Sequence, residues 1–206
     1  MIGISKENFS TWNKIPKINL INSCMGYKSA NLIGTQSKEG STNLAIFSSV
    51  THLGSDPALL GFIVRPTTVP RHTYANIKET EYFTVNSITE TMIGEAHHTS
   101  ANYAKEISEF DKAGLSEEYL DTIAVPFVGE SPLKLLCKYV NEYEIKENGT
   151  IQIIASIEKI YVDELLLQDD GFIQLDLGKV VSINGLDGYS VSQLVKRLPY
   201  ARPILR

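Results

Sequence analysis

Two clusters of hydroxyl and basic residues carry the chemistry legible in this chain. Ser48, Ser49 and Thr51 close one strand-like run, and Arg71 and Thr73 stand at the opening of a helix-favouring stretch further on. A helix start leaves free N–H groups and a partial positive charge, which together favour an anion. Arg71 adds a full charge and a planar fork of donors. Ser48, Ser49 and Thr68 supply neutral donors, while Thr73 suits an N-cap because its hydroxyl can accept an early helical N–H. The set fits a phosphate monoester better than a carboxylate, since the phosphate offers more acceptor oxygens. Taken singly, each feature has an ordinary reading: a Ser-Ser turn, a solvated arginine, a cap. Their convergence is what makes a site.

The elements that must position these residues follow from periodicity. Residues 42–49 read as a strand paired with residues 27–35 across a turn at Ser37-Lys38-Glu39-Gly40. Leu59 to Val64 is an apolar run of strand length, closed by Arg65-Pro66, where Pro66 stops further ladder pairing. A helix over 73–81 and a strand over 82–88 come next. A longer helix is expected over 91–103 and a short one over 107–114, ended by Gly114. Residues 123–131 are read as irregular. The runs 133–145 and 150–162 are long, β-rich and joined at Asn148-Gly149, the strongest hairpin signal in the chain. Asp169-Asp170-Gly171 marks another turn. Residues 1–26 are read as an irregular lead-in, with Trp12 and Pro16 packing against the body. The tail 189–206 wraps the body or a partner. Many strands with short inserted helices point to a mainly β fold, a β-barrel with α additions.

Other constellations weigh less. His97-His98 with Glu95 invites a metal, but adjacent helical histidines point about a hundred degrees apart and chelate poorly; one surface and one half-buried histidine is the simpler reading. His52 either lines the same pocket or is a plain loop residue. No G-x-S-x-G elbow frames Ser48 or Ser49, which argues against nucleophilic hydrolysis. The G-x-G-x-x-G fingerprint is missing, so any NAD(P)H binds transiently rather than on a Rossmann fold. The acidic stretch 163–176 reads as a solvated face, and Tyr189, Tyr200 and Arg202 as packing anchors.

With 206 residues and 43% hydrophobic content, the chain can bury a sizeable core, and its length fits one domain over 1–206. The net charge is −5 and no basic run exceeds Lys196-Arg197, which disfavours nucleic acid and anionic membranes as partners. No apolar stretch approaches a membrane span, and the first residues lack a signal-peptide core. Cys24 and Cys137, both in strand-like surroundings, read as reduced thiols of a cytoplasmic protein.

Several segments together resemble the flavin reductase-like family, whose members bind FMN on a split β-barrel. They are Asn43-Leu44-Ala45-Ile46-Phe47-Ser48-Ser49, Arg71-His72-Thr73 with Asn76-Ile77, Phe83-Thr84-Val85-Asn86, Ser108 to Leu115, and Leu198 to Pro203. The likeness spans roughly residues 20 to 203. Many relatives read Lys-Asp-Thr where this chain has Arg71-His72-Thr73; arginine keeps the charge, threonine keeps the hydroxyl, and His72 makes the site less negative. The resemblance implies FMN with its phosphate near Arg71 and Thr73. Ser48, Ser49 and the backbone of Val50 and Thr51 would follow the ring edge, Thr68 and Asn76 would complete the shell, and Arg65, His72 and His98 would join it. It further implies an oxidoreductase fed by NAD(P)H or a redox-protein donor, an electron-acceptor protein, and a homodimer. No catalytic side chain and no metal is assigned. A non-enzymatic FMN carrier or storage protein is the alternative, and a barrel for pyridoxal phosphate or haem is a third reading.

Overall fold

The structure is a computed structural model describing residues 1–120 and 122–203; the last three residues of the tail, 204–206, lie outside the described residues. Where an irregular lead-in is expected, the chain forms helices α1 (Lys6–Ser10) and α2 (Lys14–Ser23). A capping box starts α1: the Ser5 hydroxyl accepts the Asn8 N–H, and the Asn8 side chain accepts the Ser5 N–H. Pro16 falls in the first turn of α2, where its missing donor costs nothing. Neither helix has a buried residue, and Trp12 and Pro16 are exposed rather than packed on the body.

The strands follow as β1 (Lys28–Ser29), β2 (Asn31–Gln36), β3 (Thr42–Phe47), β4 (Thr51–Ser55) and β5 (Ala58–Val64). Helix α3 (His72–Thr80) precedes β6 (Tyr82–Ser87), and a 3-10 turn at Glu90–Met92 leads into α4 (Ile93–His98). The helix expected over 91–103 therefore stops at His98. The Thr99 hydroxyl donates to the Ala96 carbonyl at 2.8 Å and so competes for the last turn. Then come α5 (Glu109–Ala113), β7 (Glu117–Glu118) and β8 (Phe127–Val128); β8 interrupts the segment read as irregular by pairing with β7. The long strands β9 (Leu133–Ile145) and β10 (Thr150–Val162) form where the alternation and the Asn-Gly turn place them. Gly149 takes the positive φ of that turn, and the Asn148 side chain accepts the Thr150 N–H. The chain ends its regular structure with β11 (Val181–Asn184) and β12 (Gly188–Val191), the latter inside the predicted tail.

Seven strands form one antiparallel sheet in the order β3-β2-β6-β9-β10-β5-β4, beside a small β1-β11-β12 sheet. Its two edge strands, β3 and β4, are consecutive in sequence, and no ladder joins them among the described residues. Ser49, in the link between them, continues the β4–β5 pairing by its side chain: its hydroxyl accepts the Ile63 N–H at 3.0 Å and lies 3.4 Å from the Ile63 carbonyl. The result is a mainly β fold, as the strand pattern predicts, and the split barrel that the resemblance implies. Its core packs Ile33, Phe62, Phe83, Val85 and Ile153 against Ile77 of α3. Phe62 stacks edge-on to Phe47 at 5.2 Å and to Phe83 at 5.6 Å, carrying the packing from the barrel interior to its open seam.

Of the two cysteines, Cys137 is buried in β9 as expected, and burial pushes its thiol well above the ordinary range. Cys24 instead caps α2 and is exposed.

Candidate functional site

A cleft of about 1200 Å³ opens at the seam. Its walls are the end of β3 with Ser48 and Ser49, the end of β5 with Arg65, the start of α3, the loop 99–105, and the turn between β11 and β12. Asn22 of α2 adds to the rim, so one of the two helices missing from the sequence reading borders the site.

Six of the predicted residues meet in this cleft: Ser48, Ser49, Arg65, Arg71, His72 and Thr73. Arg71 occupies the N-cap of α3 with no capping side-chain bond, leaving the first-turn N–H groups for another acceptor. Its Nε donates to the Pro66 carbonyl at 3.3 Å, the one bond among the described residues that orients the guanidinium. Thr73 is not the cap. It lies inside the helix, buried, and its hydroxyl oxygen accepts a hydrogen bond from the Asn43 side chain at 3.0 Å. Tertiary pairing with β3 thus displaces the local capping role. The Ser49 hydroxyl is spent on Ile63 of β5, whereas the Ser48 and Arg65 side chains have no hydrogen-bond partner among the described residues.

Five predicted residues lie outside the lining. Val50 packs on the barrel core and its carbonyl accepts the Ser29 hydroxyl, Thr51 begins an exposed edge strand, and Thr68 sits exposed on the 65–70 loop. Asn76 is buried and donates to Thr35 Oγ1 at 3.1 Å, a bond between helix and sheet. His98 is exposed and bonds Tyr103, whose ring does line the cleft. His97 is exposed as well and lines the cleft, with its Nδ1 3.0 Å from the Tyr189 hydroxyl; neither histidine is half-buried. His52 bonds Ser55 on the edge strand, away from the lining. Among the described residues no three His, Cys, Asp or Glu side chains group as metal ligands would.

Glu109 is among the lining residues that the sequence reading did not single out. Glu109, at the start of α5, is buried and its Oε2 accepts the Leu44 N–H at 3.0 Å. Burial raises its pKa, opposed by the Leu44 and Glu109 N–H groups and by His72 nearby. Nothing in the local sequence separates it from any first-turn glutamate. A folded pKa above the unfolded one means the native state holds the proton more tightly, so this group's contribution is full at low pH and fades as pH rises through the raised value. Glu109→Gln keeps an acceptor for Leu44 and abolishes the titration. Its urea-unfolding free energy should fall less steeply with rising pH across the weakly acidic range than that of the unaltered chain; an identical slope would remove Glu109 as the cause.

The cleft's charge is uneven. Arg65, Arg71 and Lys105 line it against Glu109 and Asp187, and burial raises the pKa of Glu109. An open-seamed barrel with a cationic, uncapped helix start in its cleft has the groups that favour an anion. Residues 27–176 match the flavin reductase like domain, and the chain belongs to that family of flavin-linked oxidoreductases. It is similar to a candidate flavin reductase with a split barrel domain from Shewanella frigidimarina NCIMB 400, with a TM-score of 0.94 and 45% identity over 98% of this chain and 100% of that one. Nitrilotriacetate monooxygenase component B from Bacillus cereus shares the fold, with a TM-score of 0.82 and 21% identity over 96% and 98% of the two chains. An uncharacterized protein of Halalkalibacterium halodurans is 31% identical over 68% of this chain and 69% of its own length.

Proposed function

We propose that this protein is an FMN-binding oxidoreductase, taking reducing equivalents from NAD(P)H or a redox-protein donor and passing them to an acceptor. The observation that carries the reading is the start of α3, where an uncapped helix and the free end of the Arg71 guanidinium face one cleft. The residues present fit FMN. Helix N–H groups and a planar cation receive a phosphate monoester, Ser48 offers a hydroxyl, and Phe47 and Ile46 provide apolar wall for a ring system. The volume exceeds the usual range for one small-molecule site, roughly 300–1,000 Å³, which leaves room for a second molecule beside the flavin.

FMN, when bound, supplies the ring that accepts a hydride or single electrons. The chain's own work is positional and electrostatic. Arg71, oriented by the Pro66 carbonyl, anchors the phosphate end; Ser49 holds the link after β3 onto β5; the 99–105 loop, with the His98–Tyr103 bond at its base, walls the cleft. Arg65 and Lys105 add positive charge that favours an electron-rich ligand. Two copies associate in this reading, and sedimentation at micromolar concentration tests that part.

Titration of the purified protein with FMN, FAD and riboflavin tests the cofactor. FMN should bind at least about tenfold more tightly than riboflavin, which lacks the phosphate, a difference of about 1.4 kcal/mol. Equal affinities would take the phosphate out of the site. A protein that binds FMN but never oxidises NADH or NADPH in steady state would be the carrier rather than the reductase.

A further inference from the structure

The tail gives the molecule a surface that its own fold leaves uncovered. From Ser192 to Pro203 no residue joins a helix or strand, and every one is exposed. Yet Val195, Leu198 and Tyr200 are 92%, 74% and 93% exposed, unusual for large apolar side chains next to one another. The root of the tail is fixed. The Leu194 N–H donates to Asp176 at 3.1 Å, the Arg197 guanidinium donates to Asp170 at 2.6 Å, and the same group stacks 4.1 Å over the Phe172 ring. Beyond Arg197 the chain leaves the body.

Charge identifies the occupant. Of the five arginines, two line the cleft and the other three lie beyond residue 196, whereas all 24 acidic residues precede residue 188. The tail is therefore a cationic, apolar strap on an acidic body. The matching surface is the segment 163–177, which carries Asp163, Glu164, Asp169, Asp170 and Asp176 with no basic residue. It also exposes Leu165, Leu167, Leu175 and Leu177. A chain's own tail uses only Asp170, Asp176 and Phe172 there, and the leucines stay open.

We infer that the tail is an exchanged arm: residues 198–203 of one copy, beyond the Arg197 anchor, lie across the acidic, leucine-bearing 163–177 segment of a second copy, reciprocally about a two-fold axis. An isologous arrangement of this kind covers both tails and both segments at once. Six extended residues reach roughly 20 Å, enough to reach a second copy's segment placed beside the two-fold axis. A lipid surface is the poorer match, because Pro199 and Pro203 prevent the amphipathic helix that lies in a membrane interface. The inference rests on the pairing of two copies and is independent of the flavin.

Sedimentation of the full chain and of a Leu198→Asp/Tyr200→Asp variant tests it. Both side chains are exposed in the single chain, so the variant's circular dichroism and melting temperature as a monomer should show an intact barrel. The unaltered chain should be a dimer at micromolar concentration, and the variant's dimer dissociation constant should rise at least a hundredfold. A benzophenone side chain in place of Tyr200, in a mixture of light and heavy isotope-labelled protein, should cross-link to residues 163–177 of the other isotope. A monomeric unaltered chain would overturn the pairing itself. A variant that stays dimeric, or cross-links confined to one isotope, would overturn the arm while leaving the dimer standing. Binding to phosphatidylserine vesicles that the variant loses would assign the tail to a membrane and also overturn the arm.

Discussion

Phe62→Ala is expected to lower the free energy of unfolding by about 3–5 kcal/mol, the usual cost of deleting a buried aromatic ring and leaving a cavity. Phe62 is 1% exposed, sits opposite Ile153 in the β5–β10 ladder, and touches Phe47 and Phe83 edge-on. The neighbours are strand residues with fixed backbones, so they can collapse only partly into the gap. Urea denaturation should show a lower midpoint with an unchanged slope, the sign of altered stability rather than an altered denatured state. Phe62→Leu, which retains more of the volume, should lose less. Because Phe47 lines the cleft and rests on Phe62, the alanine variant should also bind flavin more weakly while still folded at low temperature. A loss under about 1 kcal/mol would mean that this aromatic row does not support the seam.

The same row shows what could be read from the chain. Strands β9 and β10 occupy the residues their sequence predicts, because β-branched and aromatic alternation and the Asn148-Gly149 turn are local signals. Gly114, in the left-handed conformation, ends α5 as expected. The failures have a common physical origin. Strand β4 is an exposed edge with little apolar content, and its existence depends on β5 beside it. Helix α2 lacks the buried apolar stripe from which a helix is usually read. Thr73 suits an N-cap by its type, yet Asn43, thirty residues away, claims its hydroxyl, and Arg71 takes the cap position.

The candidate site divides along the same line. Arg71 and Ser48 were legible because charge and strand-end position are local, and the cleft includes both. Its remaining walls come from the 99–105 loop, Glu109 and the β11–β12 turn, brought together only by tertiary packing. No spacing in the sequence marks Leu186 or Asp187 as neighbours of Ser48.

Arg71→Ala is expected to weaken FMN binding by about 1–3 kcal/mol, roughly 5- to 150-fold in Kd, if the guanidinium makes a charge-assisted contact with the phosphate. The fold should hardly notice: Arg71 gives one hydrogen bond, to a carbonyl at 3.3 Å, and ends no ion pair among the described residues. Arg71→Lys keeps the charge but not the planar fork and should fall between the two. Riboflavin separates an effect on the phosphate from one on the cleft's shape. It has no phosphate to lose, so its affinity should be nearly the same for both proteins, and the penalty should appear with FMN alone. Raised salt should narrow the FMN difference, since this end of the cleft is open enough for screening. A matching loss for riboflavin would make Arg71 a shaper of the α3 entry instead of a phosphate ligand. Unchanged FMN affinity would remove Arg71 from the site and, with it, the observation on which the flavin reading stands.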